Sequence, residues 1–161
     1  VVRTLLASLA CLVAYTAYIA WLIRDGAAPL AFLYEQDVQD VAVASGLVTR
    51  EQLAANLKRF LVVSYLCLLV GLAIVTLVVN GTRDLVGLWW QTTLYIWLWN
   101  AYDHFVIDTL WVGHTNAWQI PGTEGWDYIP KGAKSRKRIA IALVAPVVAL
   151  ALAAVVSAIL G

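Results

Sequence analysis

Charged residues are scarce in this sequence, and their scarcity excludes an ordinary water-soluble domain. Only 13% of the 161 residues are charged, whereas 62% are hydrophobic, and the mean hydropathy is +0.79. A soluble domain of this size carries about 25% charged residues and less than half apolar ones. The polar side chains are too few to cover a globule, so the composition predicts an integral membrane protein.

A strong excess of one charge is also missing. Lys and Arg number 11 and Asp and Glu number 10, which gives a formal net charge of +1. Proteins that attract nucleic acid carry a basic patch or a basic excess. Nucleic acid is therefore not an expected partner, whereas the lipid bilayer is.

The sequence also lacks the short motifs that mark common catalytic and metal sites. It has no His-Glu-x-x-His zinc motif, no phosphate-binding glycine loop and no redox pair of cysteines. Cys11 and Cys67 lie in different apolar segments at depths that differ by about 8 Å, which predicts two free thiols. The sequence does not indicate a particular cofactor.

Four apolar segments are long enough to cross a membrane, which requires about 20 residues. They are residues 4–23, 60–79, 85–111 and 139–160. The predicted fold class is therefore all-α, a four-helix membrane bundle formed by a single domain. Pro146 in the last segment predicts a kink whose freed carbonyl is satisfied by a neighbour.

The basic residues predict how these spans are oriented. Nine of the 11 Lys and Arg residues fall in the connections 24–59 and 112–138, and the other two are Arg3 and Arg83. Basic residues are enriched on the cytoplasmic side of a membrane. We therefore expect a multi-pass protein of the bacterial inner membrane, with both termini outside the cytoplasm and both connections inside.

The first connection predicts a helical hairpin over residues 29–59. Pro29 suits the start of a helix and Gly46 suits its end. Thr49 and Gln52 have the spacing of a capping box, which begins a second helix that continues into the second span. The second connection is rich in turns, and its basic run 131–138 is expected to set the topology and to contact anionic lipid head groups.

The strongly polar side chains of the third span are predicted to share one helical face. At 100° per residue, Asn100, Asp103, His104, Asp108 and His114 fall within an arc of about 140°. An aspartate facing lipid at mid-membrane costs about 2.5–3.5 kcal/mol, so this arc is expected to face the other helices. Asp103 lies about 27 Å from the outer end of the span, near the inner membrane boundary.

Acidic residues of the two connections are expected to converge on this inner end, namely Glu35, Asp37, Asp40, Glu124 and Asp127. The candidate ligand-binding residues are Asn100, Asp103, His104, Asp108, His114 and Glu124, and the candidate catalytic residues are Asp103, Asp108 and Glu124. His104 and Asp108, four residues apart, suit a His–carboxylate hydrogen bond or, as a weaker alternative, two ligands of a metal. A purely structural polar cluster that joins the helices is an equal alternative.

The stretch from Asn100 onward resembles a group of small uncharacterised bacterial membrane proteins with four predicted spans. In that group a pattern N-x-x-D-x-x-x-x-D closes the third span and an I-P-G-T-E-G loop follows it. The matching residues here are Asn100, Asp103, Asp108, Pro121, Gly122 and Glu124. His104 lies outside the pattern. The resemblance implies the same four-span architecture and implies no activity.

Three functions are open to such a protein. The first is a non-catalytic subunit or binding module whose polar cluster holds a partner, a lipid head group or an ion. The second is a membrane-embedded enzyme that acts on a lipid or isoprenoid through Asp103 and Asp108. The third is a small transporter, which requires an oligomer because four spans leave little room for a pathway. A larger membrane complex or a homo-oligomer is the expected protein partner.

Overall fold

The computed structural model describes residues 1–126, Tyr128 and residues 133–160, with side chains described from Arg136 onward in the last stretch. Every regular element in these ranges is helical, which confirms the all-α prediction. The main helices are α1 (Val2–Leu22), α2 (Gln36–Ala44), α3 (Arg50–Ala73), α4 (Leu85–Tyr102) and α5 (Ala133–Leu160). π-helices extend α3 over Ile74–Val79 and α4 over Asp103–Val112, and short 3₁₀ helices cover Ala28–Leu33 and Asn116–Trp118.

Three helices in the described part of the chain are long and apolar enough to cross a membrane: Val2–Leu22, Arg50–Val79 and Arg136–Leu160. They overlap the predicted spans 4–23, 60–79 and 139–160. The predicted span 85–111 is also helical, as α4 and its π extension. It does not reach the same hydropathy, because Trp, Tyr, Thr, Gln and Asn side chains dilute its Leu and Val residues.

The pair of α4 and α5 forms the most extensive helix–helix contact of the fold. Ala145, Ala149 and Ala153 recur every four residues along α5 and are at most 2% exposed. Small residues at this spacing let two helix backbones approach closely, as in many membrane helix pairs. α1 contacts both α3 and α4, so the long helices pack on one another, and we call them the bundle.

Tryptophan side chains of α4 bond directly to the backbone of α5. Pro146 has no N–H, so the carbonyl of Ala142, four residues earlier, lacks its helical donor. Trp97 Nε1 donates to this Ala142 oxygen at 2.9 Å, and Trp89 Nε1 donates to the Pro146 oxygen at 2.9 Å. The prediction that a neighbour satisfies the carbonyl freed by Pro146 is confirmed.

A buried apolar cluster lies at the end of the bundle that carries Arg24, Arg50 and Arg138, here called the basic end. Its members are Ile19, Ile23, Ala27, Leu30, Ala31, Val38, Ala42, Val48, Leu53, Trp118 and Ile120. These residues come from α1, the start of α3 and the two connections. Residues 24–49 and 115–126 together with Tyr128 therefore pack on one another, and we call them the cap.

The structure refines the prediction for residues 29–59. Pro29 does begin a helix, but it is a 3₁₀ helix that ends at Leu33, and α2 starts separately at Gln36. Between them Tyr34 has extended backbone, and its hydroxyl donates to the Trp118 carbonyl at 2.7 Å. The 3₁₀ helix packs against both α2 and α3, and the helix predicted to run from Pro29 to Gly46 is divided at Tyr34.

The two end signals in this connection are confirmed. Gly46 has a φ of +70°, the left-handed conformation that favours glycine at the end of a helix. Thr49 Oγ1 accepts from the Gln52 N–H at 3.2 Å, and the Gln52 side chain accepts from the Thr49 N–H at 2.8 Å. This capping box starts α3 where the sequence predicts.

At the opposite end of the bundle, side-chain hydrogen bonds join the turn after α3 to α1 and α4. Asn80 Nδ2 donates to Thr4 Oγ1 at 3.1 Å and to Gln91 Oε1 at 2.8 Å. Gln91 Nε2 in turn donates to Thr82 Oγ1 at 2.7 Å. Polar groups need such internal partners where lipid replaces water.

Candidate functional site

Two aspartates of the π-helix that follows α4 share one arginine of α5. Arg138 Nη2 donates to Asp103 Oδ2 at 2.8 Å and to Asp108 Oδ2 at 2.5 Å. The side chains of Asp108 and Arg138 are 15% and 16% exposed, whereas that of Asp103 is 41% exposed. Charges with so little water around them persist when they compensate one another. We call Asp103, Asp108 and Arg138 the charge triad.

The π-helix explains why both aspartates reach the same guanidinium. In an α-helix, residues five apart point about 140° away from each other. In a π-helix the hydrogen bonds run from residue i to residue i+5 and the turn is wider, so residues five apart differ in direction much less than in an α-helix. Asp103 and Asp108 both belong to the π-helix Asp103–Val112. Asp103 and Asp108 therefore both reach Arg138 of α5.

Asn100 holds the same arginine against α4. Its Nδ2 donates to the Arg138 carbonyl at 3.1 Å, and Arg138 Nη1 donates to the Asn100 carbonyl at 3.1 Å. Arg138 directly precedes the uncharged stretch 139–160 of α5. These reciprocal bonds therefore fix the charge triad at the point where α5 becomes fully apolar.

The charge triad lines a cavity of about 590 Å³ at the basic end. α3 contributes Leu61, Tyr65 and Leu68 to the wall, and their spacing of four and three residues places them on one face of the helix. Most of the remaining wall is apolar or aromatic. Pockets of about 300–1,000 Å³ with mainly apolar walls and a few polar groups are typical ligand sites.

The cavity exists because α3 diverges from the α4–α5 pair. α3 packs against the 3₁₀ helix of the cap and against α1. Its contacts with α4 are made mainly through the π-helix Ile74–Val79. The space left between them is covered at the basic end by Tyr34, Trp118 and Tyr128 of the cap. The rings of Tyr34 and Tyr128 pack edge to face with centroids 4.9 Å apart.

The structure brings together three of the six predicted ligand-binding residues. Asn100, Asp103 and Asp108 line the cavity, and His104, His114 and Glu124 do not. The ring of His104 contacts Phe105 with centroids 4.9 Å apart, and His114 Nδ1 lies 2.6 Å from the Thr109 carbonyl oxygen. Asp108 bonds to Arg138 of α5 and not to His104 as predicted.

Glu124 bonds within its own loop and does not line the cavity. Its Oε1 accepts from the Gly122 N–H at 3.0 Å, and this bond holds the pKa of Glu124 below its usual value. Gly122 has a φ of +88°, and a Cβ there would lie 3.2 Å from the side chain of Val41 in α2. The I-P-G-T-E-G segment therefore joins the second connection to the first.

The other acidic residues predicted to converge on this end lie elsewhere. Asp40 bonds to Arg50 and to Gln36, and these hydrogen bonds lower the pKa of its exposed carboxyl group. Glu35 and Asp37 border a separate, smaller pocket beside Trp126. Asp127 lies outside the described residues. The expected convergence of Glu35, Asp37, Asp40 and Glu124 on the charge triad is therefore corrected.

The polar end of the cavity is suited to hydrogen bonding more than to metal coordination. Among the residues that the structure describes, no three His, Cys, Asp or Glu side chains come together as metal ligands would. Both carboxylates of the charge triad already accept from Arg138. A cavity with one polar end and apolar walls matches a molecule with a polar head and an apolar chain.

Arg138 and the cap residues of the cavity are the site residues that the sequence did not reveal. Arg138 belongs to a basic run interpreted as a topology signal. The sequence does contain a signal for its role, since two aspartates at the edge of an apolar helix need a cation at the same depth. Trp118 and Tyr34 have no such signal, because only the packing of the cap brings them to the cavity.

No protein-family model, curated protein sequence or solved structure matches the chain. The resemblance of the stretch after Asn100 to four-span bacterial membrane proteins therefore stays a prediction.

Proposed function

We propose that the protein is a small multi-pass protein of the inner membrane, a non-catalytic binding module that holds an amphiphilic molecule in the cavity. The observation that carries the proposal is the division of the cavity into mainly apolar walls and one polar end at the charge triad. Helices long enough to span a membrane surround it. The ligand is then a membrane component whose head lies at the charge triad and whose chain lies along α3.

The proposed bundle has four spans, with α4 and its π extension as the third. α4 has 18 residues and its π extension has 10, so together they are longer than the roughly 20 residues that a span requires. The polar side chains of this helix bond to its neighbours, as shown by Trp97 and Asn100, which donate to carbonyls of α5. Such internal satisfaction is what a polar helix needs in lipid.

The cavity also has an opening through which a chain can enter. Tyr65 lines the cavity and is still 64% exposed. With the basic end on the cytoplasmic side, as the distribution of Lys and Arg favours, this opening lies in the inner leaflet. A lipid chain there reaches the cavity without leaving the membrane.

The alternative of an enzyme acting on a lipid or isoprenoid is less well supported. General acid–base catalysis needs a carboxyl group within hydrogen-bonding reach of the reacting atoms. Asp108 is 15% exposed and its Oδ2 accepts from Arg138 at 2.5 Å, so this oxygen is already engaged within the protein. This geometry favours binding over proton transfer.

Lipid analysis of the purified protein tests the proposal. Mass spectrometry of a detergent-purified sample is expected to find one class of amphiphile, enriched over its share of the membrane and near-stoichiometric with the protein. Leu68→Trp, which fills the cavity, is expected to lose it. Leu69→Trp is the matched control, because Leu69 is 47% exposed and does not line the cavity. Bulk membrane composition in all three samples would contradict the proposal.

A further inference from the structure

The groups around the cavity also indicate which head group it accepts. We propose that the cavity binds a neutral, flat, carbonyl-bearing head group on a single apolar chain, the chemistry of an alkylated or prenylated quinone. This inference rests on the proposed function and names the ligand class of the same site.

The charges of the cavity wall oppose a charged head group of either sign. Asp103, Asp108, Lys137 and Arg138 line the cavity, and their formal charges sum to zero. At the charge triad, an anionic head group would compete with the two aspartates for Arg138, and a cationic one would compete with Arg138 for the aspartates. A neutral head group leaves the charge triad intact.

Two buried donors of cavity-lining residues indicate an acceptor on the ligand. Trp118 is 3% exposed, and its indole Nε1–H has no hydrogen-bond partner among the described residues. The Nε–H of Arg138 is likewise buried without a partner in that part of the chain. Unpaired polar groups are costly in a low-dielectric interior. Both atoms are closed off from the open cavity, so an acceptor reaches them only when their side chains shift. A carbonyl oxygen suits them, because it brings no donor that would itself need a partner.

The aromatic part of the wall favours a flat head group. Six Tyr and Trp residues line the cavity, namely Tyr15, Tyr34, Tyr65, Trp99, Trp118 and Tyr128. Flat π systems pack on such rings in offset or edge-to-face geometry. Tyr15 and Trp99 already pack with centroids 4.5 Å apart, and Tyr34 and Tyr128 with centroids 4.9 Å apart. These rings are held in place before a ligand arrives, which reduces the entropic cost of binding.

The size of the cavity favours a ligand with one chain. A volume of about 590 Å³ holds a ring with a single apolar chain and is too small to enclose a two-chain phospholipid with its head group. The face of Leu61, Tyr65 and Leu68 supplies the surface along which that chain lies.

Three probes with the same ten-carbon chain separate the possible head groups: decylbenzoquinone, decanoic acid and decylamine. The full chain in lipid nanodiscs is titrated with each, and the retained probe is measured by native mass spectrometry. We expect saturable binding of the quinone, at least about tenfold tighter than that of either charged probe. Tighter binding of the acid or the amine would overturn the head-group inference and leave the proposed function standing.

Two tryptophan variants test the donor. Trp118→Phe keeps the ring and removes the N–H, and it is expected to weaken quinone binding about fivefold. Trp111→Phe is the matched control, since that ring packs on Trp118 with centroids 5.4 Å apart but does not line the cavity. Unchanged quinone affinity in Trp118→Phe would overturn the inference. If the variant does not fold, the probe series on the unaltered chain decides.

Failure of all three probes to bind would also overturn the head-group inference. The lipid analysis with Leu68→Trp and Leu69→Trp then decides the proposed function separately, because it identifies the bound amphiphile without assuming its chemistry.

Discussion

A guanidinium shared by two carboxylates is the contact on which the site depends. Arg138 donates through Nη2 to Asp103 and Asp108 and through Nη1 to the Asn100 carbonyl. Loss of one carboxylate leaves Arg138 compensated by the other. Loss of both leaves a cation with 16% exposure and no counter-ion in the triad, which is a much more costly state.

Asparagine substitutions test this sharing. Asp103→Asn and Asp108→Asn keep the size of the side chain and are each expected to lower the free energy of unfolding by about 1 kcal/mol or less. The double variant is expected to lose about 3 kcal/mol or more, since Arg138 then has no compensating charge in the triad. Denaturant unfolding in detergent measures these values. An additive double variant would show that the two aspartates act independently.

Glu124 is expected to stabilise its loop in a pH-dependent way. Its pKa is lowered in the folded protein, so the stabilisation is present above the usual glutamate pKa of about 4.3 and is lost as the pH falls through the lower, folded value. Hydrogen exchange of residues 115–126 is the measurement. At about pH 6, Glu124→Gln should exchange faster than the parent, and at about pH 3 the two should agree. Equal exchange at both pH values would contradict this role.

At the scale of elements, local signals are predictable from the sequence and the π-helix is not. The capping box at Thr49, the left-handed Gly46 and the freed carbonyl before Pro146 are each decided by a few neighbouring residues, and the structure confirms them. The switch of Asp103–Val112 from α to π geometry brings two aspartates to an arginine 30 residues or more away. No local pattern contains that distant partner.

A double-mutant cycle tests the helix contact at Pro146. Trp97→Phe removes the donor to the Ala142 oxygen and is expected to cost about 0.5–1.5 kcal/mol, the usual range for a hydrogen bond between membrane helices. In a Pro146→Ala background the new N–H at position 146 can bond to the same oxygen, so the loss should be smaller. Unfolding free energies of the four proteins give the coupling.

Trp89→Phe is the control for that cycle. Its indole bonds to the Pro146 carbonyl, which remains after Pro146→Ala, so the two changes should be additive within about 0.5 kcal/mol. An additive result for Trp97 as well would mean that the indole does not replace the missing helical donor.

In the whole molecule, the cap and the bundle are stabilised by different forces. The cap shares a buried apolar cluster of eleven residues with the adjoining ends of α1 and α3, and the hydrophobic effect stabilises this cluster where water is present. The bundle relies on small residues, such as Ala145 and Ala149, and on polar contacts between helices. The composition predicts the apolar helices of the bundle. The cap depends on contacts between residues far apart in the chain, such as Tyr34 and Trp118.

The orientation of these layers is tested by thiol labelling. Ser45→Cys in the cap and Arg83→Cys at the opposite end are both exposed positions. Each is made in a background with Cys11→Ala and Cys67→Ala. An impermeant thiol reagent added to intact cells is expected to label position 83 and not position 45. Arg83→Cys removes a basic residue from the predicted outer side, so it strengthens the charge bias that predicts this orientation. Labelling of position 45 alone would show the reverse orientation.

The central claim, that an amphiphile occupies the cavity, is tested most directly by a photoreactive probe. A single-chain amphiphile with a neutral head and a diazirine in its chain is activated on the membrane-embedded protein, and the adducts are mapped by mass spectrometry. Leu61 and Leu68 line the cavity, whereas Leu66 and Leu69 of the same helix do not. Leu61, Leu66 and Leu69 are similarly exposed, at 42%, 55% and 47%, so exposure alone does not separate the two pairs. Adducts at Leu61 and Leu68 are expected to decrease with excess unlabelled amphiphile. Adducts on both faces in proportion to exposure, with no effect of the competitor, would contradict it.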